Sequence, residues 1–154
     1  MRIALYQPDM APNVGTILRL AACLGVAVDI IEPCGFPFGA RALRRSGMDY
    51  LAHADYTAHA SWGSFLASDP DRMVLLTTRA SQTYTDFGFA AGDVLLFGRE
   101  SSGVPEDVHA RADARVAIPM APGLRSLNVA VAAAMVVGEA LRQTSGFPNS
   151  GSNR

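Results

Sequence analysis

The hydrophobic residues of this chain form short apolar runs separated by stretches with helical spacing, a pattern typical of α/β proteins. Two apolar runs, residues 2–6 and Val26–Ile31, predict strands. Between them apolar residues recur every three or four positions over 17–24, which predicts a helix. Asn13 suits its N-cap and Gly25 suits its C-cap. Strand, helix and strand in immediate succession predict a parallel sheet.

The second half of the chain repeats this alternation. Residues 94–97 are four large apolar residues in a row, which is typical of a strand buried on both faces. The other predicted elements are strands over Met73–Thr78 and Arg115–Met120, a weak strand over 50–57, short helices over 39–47, 61–66 and 105–111, and a long helix over 126–143.

Composition predicts one folded domain over residues 1–144, followed by a flexible tail over 145–154 that is rich in Gly, Pro, Asn and Ser. Of the 154 residues, 49% are hydrophobic and 18% are charged, as in globular proteins. We expect no membrane span and no signal peptide, because no apolar run is long enough and the first residues enter a strand directly. Two cysteines imply no disulfide framework, which favours the cytoplasm.

The charged residues exclude some kinds of site. All 13 basic side chains are arginines, so a lysine Schiff base and a lysine-containing phosphate loop are excluded. The three histidines show no zinc-ligand spacing with the cysteines, so we expect no metal. The net charge of −1 gives no broad attraction for nucleic acid. Arg41, Arg44 and Arg45 form the most basic patch, which is either a solvated helix face or a phosphate contact.

Three predicted strands end in loops of small and polar residues, at 76–78, 97–103 and 118–128. In parallel sheets, ligands bind beyond the carboxyl ends of the strands. One such loop is an ordinary strand-to-helix connection, whereas three together predict a binding pocket that presents backbone groups. A nucleotide-binding or flavin-binding module would also explain these loops and the β-α-β start.

Three motifs follow one another along the chain: Asn13-x-Gly15-x-x-x-Arg19, Leu96-Phe97-Gly98-x-Glu100-x-x-Gly103, and Ile118-Pro119-Met120 with Ser126-Leu127-Asn128-Val129. Their order and spacing resemble the SPOUT superfamily of RNA methyltransferases. Residues 31–36 and 43–50 resemble, more narrowly, the minimal tRNA 2′-O-methyltransferases that act on the wobble pyrimidine. The resemblance covers the chain to about Gln143.

The resemblance implies a parallel-sheet SPOUT fold with helices on both faces and a deep trefoil knot near the C-terminus. It also implies a homodimer that binds S-adenosylmethionine and builds its active site across the subunit interface. By motif, Arg19, Asn13 and Ser126 are the expected catalytic residues. The expected cofactor contacts, mostly through the backbone, are Leu76, Thr77, Gly98, Glu100, Gly103, Ile118, Met120, Ser126 and Asn128.

The implied reaction transfers a methyl group to the ribose 2′-hydroxyl of the wobble pyrimidine in the tRNA anticodon stem-loop. Arg41, Arg44, Arg45 and Arg125 are the expected phosphate contacts. Arg19 is either a transient base or a clamp for phosphate and alkoxide. Glu100 lies either near the donor's amino group or RNA, or caps the helix that starts near Pro105. The alternatives are methylation of another tRNA or rRNA nucleotide and a non-catalytic RNA-binding dimer.

Overall fold

A six-stranded parallel sheet forms the centre of the computed structural model, which describes residues 1–39, 41 and 49–149. The strand order is β3-β2-β1-β5-β4-β6. The strands are β1 (Arg2–Tyr6), β2 (Ala27–Ile31), β3 (Tyr56–His59), β4 (Met73–Leu76), β5 (Val94–Phe97) and β6 (Ala114–Val116). The helices are α1 (Ala11–Leu24), α2 (Trp62–Ala67), α3 (Glu106–Arg111) and α4 (Val129–Gln143), with a 3₁₀ helix over Asp49–Ala52. The predicted parallel α/β fold is confirmed.

Helices cover both faces of the sheet because neighbouring strand residues point to opposite sides. On β1, Ile3 and Leu5 pack with the apolar faces of α1 and α4. Ala4 and Tyr6 pack on the other side with residues of α2 and α3. The predicted burial of 94–97 is confirmed, since all four side chains are buried. This arrangement leaves the carboxyl ends of β5, β4 and β6 side by side.

The first helix begins earlier than predicted, so Asn13 is not its N-cap. Helix α1 starts at Ala11 with Met10 as the N-cap residue, and Pro12 lies within the first turn. Proline is tolerated there because the first turn leaves its backbone N–H groups unpaired. Asn13 is therefore a buried residue inside the first turn. The predicted C-cap is confirmed, because Gly25 has a φ of 67°.

Three predicted strands are shorter than expected, and the one predicted over Met73–Thr78 ends at Leu76. Only Tyr56–His59 pairs with β2, while Asp49–Ala52 is a 3₁₀ helix and the partly buried Leu51 joins the core cluster that includes α1. Packing against α1 thus overrides the weak strand propensity of this stretch. The last strand ends at Val116 rather than Met120, because Ala117 pairs with Gln82 and Tyr84 in the connection between β4 and β5. The predicted helix over 39–47 lies largely outside the described residues.

A buried carboxylate joins the first three strands. Asp29 on β2 accepts hydrogen bonds from Arg2 Nε at 2.7 Å, from Arg2 Nη2 at 3.0 Å and from His59 Nε2 at 2.8 Å. Burial alone would raise the pKa of Asp29, but the hydrogen bonds from Arg2 and His59 outweigh it and lower the pKa. Asp29 therefore stabilises the fold while it is ionised.

We expect Asp29→Asn to lower the free energy of unfolding at pH 7 by about 1–3 kcal/mol, because two donors lose a charged acceptor. Thermal unfolding followed by circular dichroism should show a Tm several degrees lower. Because folding lowers the pKa of Asp29, the stability difference between wild type and variant should shrink as the pH falls below 3.8, the ordinary pKa of an aspartate. Asp69→Asn is the control, since Asp69 is exposed at a φ of 52° that asparagine also adopts. Equal Tm values at pH 7 would contradict this role.

Candidate active site

The loops that follow β4, β5 and β6 surround one cavity of about 450 Å³ at the carboxyl edge of the sheet. Three neighbouring strands carry these loops, so the loops meet although they are far apart in sequence. Helix α1 and the start of α4 close the cavity from one face. The predicted residues that line it are Asn13, Leu76, Thr77, Gly98, Glu100, Gly103, Ile118, Met120, Ser126 and Asn128.

Of the predicted arginines that the structure describes, Arg19, Arg41 and Arg125 lie outside this cavity. Arg19 is exposed on α1, and its guanidinium carbon lies 4.6 Å from the centre of the Tyr50 ring. Arg125 lines a separate open groove of about 430 Å³ on the other side of the 118–125 loop. Arg41 is exposed. Arg44 and Arg45 lie outside the described residues.

Sequence reasoning missed several wall residues. Leu75 lines the cavity from the end of β4, within an apolar run that the sequence identified only as a strand. Val129 and Ala132 stand one helical turn apart on α4, a spacing that places both on one helix face. No local signal identifies Met10, because its position depends on how distant segments meet.

Two glycines let the loop after β5 fold tightly on itself. Arg99 N donates to Gly103 O and Gly103 N donates to Arg99 O, both at 2.9 Å. A Cβ atom on Gly98 would lie 2.7 Å from the carbonyl carbon of Gly103. Gly103 itself has a φ of 66°. The glycine spacing therefore serves close backbone approach in the cavity wall.

Polar side chains link three of the cavity's walls. Asn13 Nδ2 donates to Glu100 Oε1 at 3.2 Å, and Asn128 Nδ2 donates to Asn13 Oδ1 at 3.0 Å. Asn128 Oδ1 accepts from Ala130 N at 2.8 Å, so Asn128 is the N-cap of α4, which begins at Val129 and not at the predicted residue 126. Glu100 does not cap α3, because the start of α3 at Pro105 receives no side-chain hydrogen bond and the Glu100 carboxylate accepts from Asp9 N instead. The cap proposed for Glu100 was therefore wrong, and the side chain faces α1 instead.

Opposite charges stand next to each other in the cavity wall. Among the described residues that line it, Arg99 is the one cation and Glu100 the one anion. The Arg99 guanidinium carbon lies 5.5 Å from the centre of the Tyr6 ring, a cation–π arrangement. Within the described part of the chain, no group of three or more His, Cys, Asp or Glu side chains is placed to hold a metal ion. No described helix has the length and apolar character to cross a membrane.

Comparison with known proteins decides the family. The sequence profile of the SpoU rRNA Methylase family matches residues 1–138. The chain belongs to the SpoU rRNA Methylase family. This match confirms the resemblance drawn from the three motifs, and those motifs supply most of the cavity wall of this SpoU-family chain.

Individual relatives and solved structures show which members of the family this chain is similar to. A tRNA (cytidine(34)-2′-O)-methyltransferase of Beijerinckia indica is 62% identical over 144 residues, which cover 92% of this chain and 90% of the relative. A structure described as giving insights into the 2-OH methylation of C/U34 on tRNA has a TM-score of 0.87 and 39% identity, covering 94% of this chain and 96% of the other. An AdoMet-bound rRNA methyltransferase from Sinorhizobium meliloti has a TM-score of 0.80 and 26% identity, over 92% of this chain and 55% of the other.

Proposed function

We propose that this SpoU-family chain uses S-adenosylmethionine to methylate the ribose 2′-hydroxyl of nucleotide 34, a cytidine or uridine, in the tRNA anticodon loop. The observation that carries the proposal is that residues of all three motifs line one cavity. The tRNA substrate is taken from the relative that is 62% identical over nearly its whole length. Such a protein would act in the cytoplasm, where tRNA is modified.

The cavity fits the methyl donor in size and chemistry. Its volume of about 450 Å³ lies within the usual range of ligand pockets. Leu76, Ile118 and Met120 offer apolar surface for an adenosine, and Gly98 and Gly103 bring backbone close to it. Thr77, Glu100, Ser126 and Asn128 supply the polar contacts that we assign to donor binding. Bound S-adenosylmethionine supplies a methyl group on a sulfonium, which is an excellent leaving group.

We assign Arg19 to catalysis in the cavity of a second copy of the chain. Arg19 does not line the cavity of its own chain. Near that cavity, Met10, Leu127, Val131 and Met135 are exposed large apolar residues at the start of α1 and along α4. An exposed apolar surface of this kind is typical of a subunit interface. A homodimer formed through it would bury these side chains and bring α1 of one subunit to the cavity of the other.

Arg19 acts in this proposal as a clamp rather than a base. The face of the Tyr50 ring stabilises a guanidinium cation, and arginine is not deprotonated in proteins. A charged fork can hold the phosphate next to the reacting ribose and stabilise negative charge on the 2′-oxygen. The hydroxyl proton then passes to water. Holding the hydroxyl in line with the methyl group lowers the barrier by about 7–11 kcal/mol.

Local arginines, rather than net charge, would bind the RNA. Arg41 and Arg125 are exposed, and with Arg44 and Arg45 they are our candidates for contacts to anticodon stem-loop phosphates. Because the net charge of one chain is −1, the arginines of two subunits would have to act together. An anticodon loop presents unstacked bases and accessible 2′-hydroxyls, the usual targets of RNA recognition.

We propose that the C-terminal part is threaded as the deep trefoil knot expected of a SPOUT fold. The segment at Val116 and Ala117 is hydrogen bonded on both sides to one connection between β4 and β5. Thr77 N donates to Val116 O at 3.0 Å, while Ala117 N donates to Gln82 O at 2.9 Å. A chain that passes between two parts of the same loop before entering α4 supports this threading.

The cellular test is mass spectrometry of tRNA nucleosides from cells with and without this protein. We expect the 2′-O-methylpyrimidine at nucleotide 34 to disappear and to return when the gene is restored. Loss of a ribose methyl group from another tRNA position or from rRNA would support methyl transfer to a 2′-hydroxyl but would contradict nucleotide 34 as the target. Unchanged nucleosides in both RNA classes would contradict the proposal and leave the non-catalytic RNA-binding dimer.

A further inference from the structure

Asp9 lies outside the cavity wall, in the loop between β1 and α1, and contacts two consecutive residues of the wall. Its Oδ2 accepts hydrogen bonds from Ser101 N at 3.1 Å and from Ser101 Oγ at 2.5 Å. Its backbone N donates to Glu100 Oε2 at 2.9 Å. The loop after β1 and the loop after β5 therefore each supply a carboxylate that accepts a backbone N–H of the other.

This reciprocal pairing resembles the capping box at helix starts, where two side chains each satisfy the other residue's backbone donor. Neither loop can move without breaking hydrogen bonds made by the other. The pairing also orients Glu100, because one carboxylate oxygen is held by Asp9 N and the other by Asn13 Nδ2. The contact with Asp9, which lies outside the cavity wall, thus fixes the position of the Glu100 carboxylate in the cavity.

A third loop prevents Asp9 from withdrawing. Gly35 N donates to Pro8 O at 2.9 Å, next to Asp9. A Cβ atom on Gly35 would lie 2.9 Å from Asp9 Cα and 3.2 Å from Asp9 Oδ1. The backbone of Gly35 therefore packs directly against Asp9.

Electrostatics keep the Asp9 side chain an acceptor. The hydrogen bond from the Ser101 hydroxyl lowers the pKa of Asp9, with further lowering from the Ser101 backbone and the Arg99 charge. Hydrogen bonds to a charged acceptor are stronger than those between neutral groups. An ionised Asp9 can therefore hold Ser101 through both of its donors.

We propose that Asp9 is a positioning residue that holds Glu100 and Ser101 in the geometry required to bind the methyl donor, without touching the donor itself. This inference rests on the proposed function, since it assigns the cavity to S-adenosylmethionine. Loss of Asp9 weakens donor binding, because the free loop must be ordered each time the donor binds. Once the donor is bound, the rate of methyl transfer changes little.

The experiment is calorimetric titration of the dimer with S-adenosylhomocysteine for wild type, Asp9→Asn, Ser101→Ala and the double variant. Asp9→Asn should bind roughly 10- to 100-fold more weakly, since two hydrogen bonds lose their charged acceptor. Ser101→Ala removes only the hydroxyl bond on an exposed loop and should have a smaller effect. Because both changes remove the same contact, the double variant should bind less weakly than the sum of the single effects predicts. Asp69→Asn should bind like wild type.

Steady-state kinetics separate positioning from mere stabilisation. Positioning predicts a raised KM for S-adenosylmethionine with kcat within about twofold of wild type. A purely structural role would lower Tm and leave the affinity of the folded protein unchanged. Unchanged affinity in both Asp9→Asn and Ser101→Ala would overturn the positioning role of Asp9 and leave the proposed function intact. A wild-type protein that fails to bind S-adenosylhomocysteine would overturn the proposed function and this inference with it.

Discussion

Replacing Arg19 by alanine should lower kcat for methyl transfer by about 10²–10³-fold, the usual loss when one charge-stabilising donor is removed from an active site. The affinity for S-adenosylhomocysteine should stay unchanged, because the proposed role of Arg19 is contact with the RNA phosphate and the 2′-oxygen and not with the methyl donor. Stability should also change little, since Arg19 is exposed and its described contact is the Tyr50 ring. Single-turnover kinetics on an anticodon stem-loop RNA, with calorimetry alongside, measures both effects.

Arg19→Lys distinguishes charge from shape. Lysine keeps the positive charge but lacks the planar fork that binds phosphate in a bidentate manner. We expect kcat of Arg19→Lys to lie between those of Arg19→Ala and wild type, because the proposed clamp depends on both the charge and the planar shape of arginine. Full activity in Arg19→Ala would show that Arg19 has no part in catalysis.

Gly98→Ala should remove measurable donor binding, a weakening of at least about 100-fold. The added Cβ would lie 2.7 Å from the Gly103 carbonyl carbon and 2.9 Å from Gly103 Cα. These are backbone atoms, so relief requires breaking the paired Arg99–Gly103 hydrogen bonds that shape the cavity wall. Overpacking of this kind costs about 1–3 kcal/mol of stability, which should leave the protein folded.

Gly88→Ala is the matched control for Gly98→Ala. A Cβ on Gly88 would have no atom within 4 Å, and Gly88 lies outside the cavity. We expect wild-type affinity for S-adenosylhomocysteine in this variant. An affinity in Gly98→Ala within about twofold of the control would show that the loop does not need its close approach to bind the donor.

Mixing the two inactive variants tests whether Arg19 acts across the dimer. If it does, an Arg19→Ala cavity can be completed by Arg19 from a Gly98→Ala subunit. Random reassortment then restores about a quarter of wild-type activity, because half of the dimers carry one complete site. If Arg19 acted within its own chain, no mixed dimer would have a complete site and activity would stay absent.

The strands could be predicted from sequence because the sheet is buried on both faces. Continuous apolar runs such as 94–97 have few other interpretations, and their order with the intervening helices dictated a parallel sheet. The errors came where packing competes with local preference. Asn13 has good capping chemistry, but Pro12 suits the first helical turn and moves the start to Ala11. The stretch 50–57 has weak strand character, but Leu51 packs into the core instead.

The cavity residues could be predicted only where a motif carried them. Asn13, Gly98 and Ile118 come from three separate motifs, and the fold brings them together. The Asp9–Ser101 contact joins residues 92 positions apart, and no local sequence pattern predicts such a contact. The position of Arg19 beside Tyr50 likewise depends on how α1 packs against the 3₁₀ helix. Contacts of this kind follow from tertiary structure and not from spacing.

The most direct test of the proposed function uses two synthetic anticodon stem-loop RNAs, one with cytidine and one with 2′-deoxycytidine at nucleotide 34. Each is incubated with the purified protein and S-adenosylmethionine, digested to nucleosides and analysed by mass spectrometry. We expect 2′-O-methylcytidine from the first RNA and no methylation of the second. Equal methylation of both RNAs, or methylation of neither by a protein that binds S-adenosylhomocysteine, would contradict transfer to the 2′-hydroxyl of nucleotide 34.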